Sequence, residues 1–265
     1  MDKFYIITNR DKDQNLRFTE EIVRYLKEHG KKCQVQQAER KTEGTYHYTD
    51  PELIPEGTQC ILVLGGDGTL LQAARVVHRE IPMLGVNLGT LGFLAEIDKP
   101  SIYAALDKLF ADDYEIEERM MLTGTVWRGD KIIGQDVALN DIVIHRCGMP
   151  QIVNLIVSVN GEYLATYSAD GIIISTPTGS TGYSMSAGGP IVDPKADLML
   201  ITPINPHSAL AKSIVVGSDA EIDVILAKRR QEEDEEAEVS FDGDRFVHMQ
   251  VGDSIHIKKA PESAK

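Results

Sequence analysis

Apolar and polar residues alternate along this chain with two different periods, and the change between them divides it. Phe4–Thr8 is a compact apolar run of strand length, and Thr19–His29 places Ile22, Val23, Tyr25 and Leu26 at helical spacing before Gly30 ends the pattern. Cys33–Val35 predicts a weaker strand, and Lys41–Pro55 is polar and loop-like. Cys60–Leu64 predicts a second buried strand, Leu70–His78 a helix, and Pro82–Val86 another strand. Strands that alternate with helices predict βαβ units and a parallel sheet.

Beyond a helix at Ser101–Phe110 the signals become mostly β: Thr123–Trp127, Lys131–Ile133, Ile142–His145, Ile152–Val159, Gly171–Ser175, Ile214–Val216 and Glu221–Ile225. Asn160-Gly161 between two such runs is a hairpin signal. The expectation is an α/β domain over 1–100 and a β-rich domain over 101–265. Lys228–Glu238, a run dense in both signs of charge, reads as a solvated hairpin tip.

Composition narrows the function class. The 265 residues are 42% hydrophobic and 26% charged, as in an ordinary globular protein. With 41 acidic against 27 basic residues the formal net charge is −14, a surface that repels nucleic acid and anionic membranes. Anions must then be bound locally, by backbone N–H groups, helix N-termini or a bound divalent cation. Cys33, Cys60 and Cys147 are odd in number and widely spaced, which speaks against a disulfide framework and a cysteine zinc site. No apolar run approaches the roughly 20 residues that span a bilayer, and the start of the chain lacks the h-region of a signal peptide. The expected compartment is the cytoplasm.

Two loops carry the chemistry. In Leu64-Gly65-Gly66-Asp67-Gly68-Thr69-Leu70 a buried strand ends, glycines fill a tight turn and a helix begins. Such a turn lets backbone approach a ligand and aims N–H groups at an anion. It is neither a Walker A loop nor a complete dinucleotide fingerprint, because Leu71 stands where a third glycine belongs. Asp67 is read either as a reactive carboxylate or as a helix cap. The second loop runs from Asp170 through Thr176-Pro177-Thr178-Gly179-Ser180-Thr181-Gly182-Tyr183 to Ser184-Met185-Ser186-Ala187-Gly188-Gly189-Pro190. Its hydroxyls offer neutral donors, and Tyr183 offers one flat ring for a base.

Together with Asn87-Leu88-Gly89, Leu91-Gly92-Phe93-Leu94, Leu139-Asn140-Asp141, Leu200–Ser208 and Phe241-Asp242-Gly243, in that order, these loops resemble the NAD kinase family. The GGDGT turn is shared with lipid kinases and phosphofructokinases, whereas the second loop is specific to NAD kinases. The resemblance implies a small α/β domain joined to a β-sandwich, with NAD between them. It also implies transfer of the terminal phosphate of ATP, or of another donor, to the adenosine ribose 2′-hydroxyl of NAD.

The same resemblance assigns the residues. Asp67 is the expected catalytic base, and Gly65, Gly66, Gly68 and Thr69 form the phosphate-side loop. Asp67, Gly68, Asn140, Asp141, Asp170, Thr181, Gly182, Tyr183, Ser184, Met185 and Ser186 are the expected NAD contacts, with Phe93, Ser168 and Asp242 as further candidates. ATP is expected with Mg²⁺ or another divalent cation held mainly by the nucleotide phosphates, without a dedicated protein metal site. The partners expected are NAD, ATP and further copies of the chain, as a homodimer or homotetramer assembled through the β-rich domain, with the extreme C-terminus packing back on the first domain. Asp141 stands where the family commonly has Glu, Ser168 and Lys212 where it has Arg, and Gly182 where it has Ala. His145 and His207 are read as packing residues. A lipid kinase would call for a basic or amphipathic membrane-facing surface, and a nucleotide sensor without transfer would not need Asp67.

Overall fold

The computed structural model describes residues 1–36, 39–41, 47–77, 81–89, 92–95, 97–148, 152–208, 211–228 and 236–265. The chain divides into two compact units, Met1–Glu118 with Ala264–Lys265, and Arg119–Ser263. The texture of the sequence changes near residue 100, but the helix and polar segment that follow count with the first unit.

The first unit carries strands β1 (Lys3–Thr8), β2 (Lys32–Val35), β3 (Glu39–Lys41), β4 (His47–Thr49), β5 (Cys60–Gly65), β6 (Met83–Asn87) and β7 (Ile97–Asp98). Its helices are α1 (Arg17–Glu28), α2 (Asp67–Val76) and α3 (Ile102–Phe110). A five-stranded sheet has the order β2-β1-β5-β6-β7, and every pairing in it is parallel. Parallel strands are covered on both faces, so their sequences are apolar at nearly every position. Phe4, Ile6, Leu62 and Leu64 pack with Ile22, Leu26, Ile102 and Leu106 of α1 and α3 on one side. Tyr5, Ile7, Ile61 and Val63 pack with Ala73 and Val77 on the other. The N–H of Met83 donates to the carbonyl of Lys265 at 2.8 Å, which ties the last residue of the chain to the start of β6.

The polar stretch Lys41–Pro55 expected to be a loop starts at the last residue of β3 and contains β4, paired antiparallel to β3, and a short 3-10 turn over Pro51–Leu53. Neither of these three-residue strands shows apolar alternation. Residues 42–46 lie outside the described residues, as do residue 78 of the expected second helix and most of the expected charged hairpin tip, 229–235.

The second unit is built from β8 (Arg119–Arg128), β9 (Lys131–Ala138), β10 (Asp141–Arg146), β11 (Val153–Val159), β12 (Glu162–Ala169), β13 (Gly171–Ser175), β14 (Leu198–Ile204), β15 (Ile214–Gly217), β16 (Ile222–Ala227), β17 (Glu236–Phe241), β18 (Asp244–Gln250) and β19 (Ser254–Ala264), with a 3-10 turn over Thr178–Thr181 and a short helix, α4 (Tyr183–Ser186). The strands form two six-stranded sheets, β15-β14-β13-β10-β17-β18 and β12-β11-β16-β19-β8-β9. Ile142, Ile144, Ile172, Ile174 and Phe241 of the first meet Leu155, Val157, Val224, Ile255 and Ile257 of the second in one core. This is the expected β-sandwich. The Asn160-Gly161 hairpin joins β11 to β12, and both residues have positive φ, 52° and 79°. Among the described residues all three cysteines are free, and burial pushes the Cys60 thiol up to about 12.

Candidate active site

In the first unit the sheet order places a crevice before any ligand is considered. From β1 the chain runs outward to β2, then returns to add β5 on the other side, so the order reverses between β1 and β5. Open α/β sheets bind ligands at the carboxyl ends of strands at such a point. The glycine turn leaves β5 there, and Asn9 and Lys12 follow the end of β1. Asn9 N–H donates to the Leu64 carbonyl at 2.8 Å, and its side-chain amide reaches Thr69 Oγ1 at 3.4 Å.

Gly66 caps α2 in an extended conformation and Asp67 is the first helical residue. Among the described residues the Asp67 carboxylate is held from outside its own helix. Its Oδ2 accepts from the Phe93 amide at 2.9 Å, and its Oδ1 from Leu94 at 3.3 Å and Ala95 at 3.2 Å. A Cβ on Gly92 would overlap this carboxylate, so Gly92 and the amides of residues 93–95 form the seat of Asp67. An ionised carboxylate offers about four lone-pair positions. Among the described residues three are filled by amides, which leaves one on Oδ2.

Lys12, which the sequence reading does not single out, lies over the same turn. Its Nζ is 2.7 Å from the place a Gly66 Cβ would occupy and 3.5 Å from that of Gly89. Exposed cation, glycine turn and helix N-terminus together offer positive potential to a phosphate. The Phe93 ring is 66% exposed.

In the second unit a cleft of about 650 Å³ is lined by Asn140, Asp141, Asp170, Tyr183 and Asp242, together with Val143, His145, Arg146, Ile204, Asn205, Ser240, Gly243 and Phe246. Two distant motifs build its floor. Asp242 and Gly243 form the two-residue turn from β17 to β18, with φ of 52° and 69°, the left-handed geometry that Asp-Gly favours. The turned carboxylate accepts from the amides of Leu139 at 2.9 Å, Asn140 at 2.7 Å and Asp141 at 3.1 Å. Gly179 lets the second loop press against the same strand, since a Cβ there would meet the Asn140 carbonyl.

The cleft holds two polar groups in costly states. Asn140 Oδ1 is buried with no hydrogen-bond partner among the described residues, and a buried acceptor left in that way costs roughly 1–3 kcal/mol. The Asp141 carboxyl is pushed up to about 7, by burial first and by the Asp242 carboxylate second. Asp170 is the opposite case. The Asn205 amide at 3.0 Å, and then the Arg146 guanidinium at 2.8 Å, hold its carboxyl below the usual range against the effect of burial. Arg146 and Phe246 are cleft residues that nothing local in a strand end or hairpin marks, whereas Asn205 falls within the Leu200–Ser208 motif without a role assigned to it there.

Other expected contacts are distributed differently. Tyr183 lines the cleft and is 47% exposed. Ser184 is buried, with its hydroxyl 3.2 Å from Thr202 Oγ1, and the Thr181 hydroxyl donates to the Thr178 carbonyl at 3.3 Å. Gly182 is half-buried, while Met185 and Ser186 are exposed around α4. Ser168 donates to Asn154 Oδ1 at 2.6 Å and lines a separate hollow with His207 and Lys212. His145 lies in the cleft, with Nδ1 2.9 Å from the Arg146 carbonyl and its ring edge-on to Phe246.

A glycine turn at the switch point of a parallel sheet, followed by a β-sandwich with a polar cleft, is the plan of a two-unit nucleotide-dependent phosphotransferase. The N-terminal domain model of the ATP-NAD kinases matches residues 4–114, and the C-terminal domain model matches 139–265. The chain belongs to the ATP-NAD kinase family. It is 50% identical to an NAD kinase of Agathobacter rectalis and 48% identical to one of Lachnoclostridium phytofermentans, each match covering 100% of this chain and 93% of the relative. Among solved structures, yeast NADH kinase complexed with NADH superposes with a TM-score of 0.87 at 26% identity, over 99% of this chain and 79% of that one. An NAD kinase from Archaeoglobus fulgidus in complex with ATP gives 0.79 at 25% identity, over 99% and 92%.

Proposed function

We propose that this chain is an NAD kinase that transfers the terminal phosphate of ATP to the adenosine ribose 2′-hydroxyl of NAD, with Asp67 as the general base. The observation that carries the reading is the Asp67 carboxylate, held by three amides with one acceptor position left on Oδ2. The 2′-oxygen attacks the terminal phosphorus, its proton passes to Asp67, and the bond to the bridging oxygen breaks to release ADP. A ribose hydroxyl is a poor nucleophile, and phosphoryl transfer depends chiefly on positioning and charge neutralisation.

Gly65, Gly66, Gly68 and Thr69 shape the phosphate side of the site, and Lys12 adds a cation to it. The glycine amides and the Lys12 ammonium are donors suited to phosphate oxygens. The Mg²⁺ or similar ion that accompanies ATP would be held mainly by the nucleotide's phosphates and would offset their charge. Asn140 Oδ1 accepts from an amino group of the dinucleotide, which answers its missing hydrogen bond. Asp141 and Asp170 take ribose hydroxyls, Tyr183 stacks on the adenine, and Thr181–Ser186 with Asp242 hold that wall in place.

No helix among the described residues is long and apolar enough to cross a membrane, and we assign the enzyme to the cytoplasm, where ATP and NAD are both present. Self-association as a homodimer or homotetramer runs through the β-rich unit, which exposes Tyr163, Val215 and Ile225. Light scattering of the purified chain tests that assignment.

The deciding experiment supplies purified protein with ATP, Mg²⁺ and either NAD or its 2′-deoxyadenosine analogue. NADP should appear from NAD alone, and the analogue should bind and compete with NAD. Phosphate on the analogue would mean that another group attacks, and the assignment of the reacting hydroxyl and its base would be lost.

A further inference from the structure

The sheet that floors the cleft carries a second cluster of side chains that nucleotide binding does not use. Glu238 of β17 stands opposite His145 of β10 and opposite His248 of β18. Cys147 follows β10, and its N–H donates to the Glu236 carbonyl at 3.3 Å. Successive side chains of a strand point to opposite faces. His145, Cys147, Glu236, Glu238 and His248 therefore share the outer face, while Ala237 and Val239 enter the core. Ser240 and Phe246 continue that face into the cleft.

Three of these residues converge. Cys147 Sγ is 4.0 Å from His248 Nδ1, and Nδ1 is 3.4 Å from Glu238 Oε1. The ligand atoms of Cys147, Glu238 and His248 all lie within 4.8 Å of one another. Around a tetrahedral zinc ion, bond lengths of about 2.0–2.3 Å put nitrogen and oxygen ligands about 3.4 Å apart and sulfur and nitrogen about 3.6 Å apart. The imidazole and carboxylate are thus already at ligand spacing, the thiol is within a few tenths of an ångström of it from the imidazole, and it closes on the carboxylate from within 4.8 Å. Glu236 completes the pattern from outside, with Oε2 4.0 Å from His248 Nε2. A ligating imidazole commonly donates its second ring N–H to a carboxylate, which Glu236 would accept on closing from 4.0 Å to hydrogen-bond distance.

We propose that Cys147, Glu238 and His248 form a site for a zinc-class divalent transition metal, with a fourth position for water and Glu236 orienting the imidazole. A thiolate with an imidazole selects such metals over Mg²⁺ or Ca²⁺, which prefer all-oxygen sites. The site is therefore distinct from the cation that travels with ATP. Coordination breaks the S–H bond of Cys147, forms a metal–sulfur bond and releases the proton to solvent. The ion ties the end of β10 to the β17–β18 hairpin, beside His145 and Phe246 of the cleft.

The test is a titration of the metal-free full-length protein with cobalt(II), followed through its thiolate-to-metal charge-transfer absorption. The band should saturate at one equivalent, be displaced by zinc and resist an excess of Mg²⁺. Cys147→Ser should abolish it, whereas Cys33→Ser should leave it unchanged. Glu236→Gln should weaken binding by about 10- to 100-fold, the usual range for a group that orients a ligand. An unmodified protein that gives no band, or a Cys147→Ser variant that keeps it, would overturn the site. Neither outcome bears on NAD phosphorylation, which is assayed separately.

Discussion

The Asp242 carboxylate accepts the backbone N–H of Asn140 at 2.7 Å, across 102 residues of sequence. With its bonds to Leu139 and Asp141 it converts a hairpin turn into the anchor of the cleft floor. Asparagine also tolerates the left-handed backbone of this position, so Asp242→Asn removes the charge and leaves the turn. One acceptor oxygen is replaced by an NH₂ that faces amide donors, a conflict worth about 1–3 kcal/mol. Urea unfolding should show a loss of that size, and calorimetry should show weaker NAD binding. Unchanged NAD affinity would separate the anchor from the site.

Asp67 is seated by the same device in the other unit, three successive amides around one carboxylate. Asp67→Asn should lower turnover by about 10²-fold or more, the scale on which a general base contributes. NAD affinity should change little. Near-normal turnover in this variant would reduce Asp67 to a clamp for residues 93–95.

Lys12 lies over the glycine turn. Lys12→Ala should raise the KM for ATP on the order of tenfold, as expected for a hydrogen bond to a charged group, and leave the KM for NAD nearly unchanged. Lys12→Arg should recover most of the loss. An effect confined to NAD would place the cation on the wrong substrate.

Tyr183 presents its ring to the cleft. Tyr183→Ala should weaken NAD binding by roughly 1–3 kcal/mol, the range for a base stacked on an aromatic side chain. Calorimetry with the variant, its fold checked by circular dichroism, decides the point.

Asp141 makes stability depend on pH with a definite sign. Its carboxyl is raised to about 7 in the folded chain, against about 4 in an unfolded one. The folded state therefore binds the proton more tightly, and this contribution is full below about pH 4 and lost as pH rises through about 7. Asp141→Asn has no proton to lose. The stability of the variant relative to the parent should increase between about pH 5 and pH 8 in urea titrations. A constant difference over that range would mean that Asp141 is ionised throughout.

Much of this protein is legible along the chain because it rests on local chemistry. Phe4–Thr8 and Cys60–Leu64 are apolar on both faces, which parallel strands require, and Asn160-Gly161 specifies its hairpin through positive φ. The glycine turn at Asp67 and the hydroxyl-rich loop ending in Tyr183 mark themselves by residues a plain connection would not need. The tertiary structure decided what those motifs touch. Nothing in the sequence near Phe93 says that its amide meets Asp67, or that Asp242 meets Asn140, because such contacts follow from sheet order and from turns a hundred residues away. For the same reason Lys12, Arg146 and the Cys147–Glu238–His248 cluster stay hidden in the sequence. Each is an ordinary residue in an ordinary segment, and only the pairing of strands brings it beside a partner.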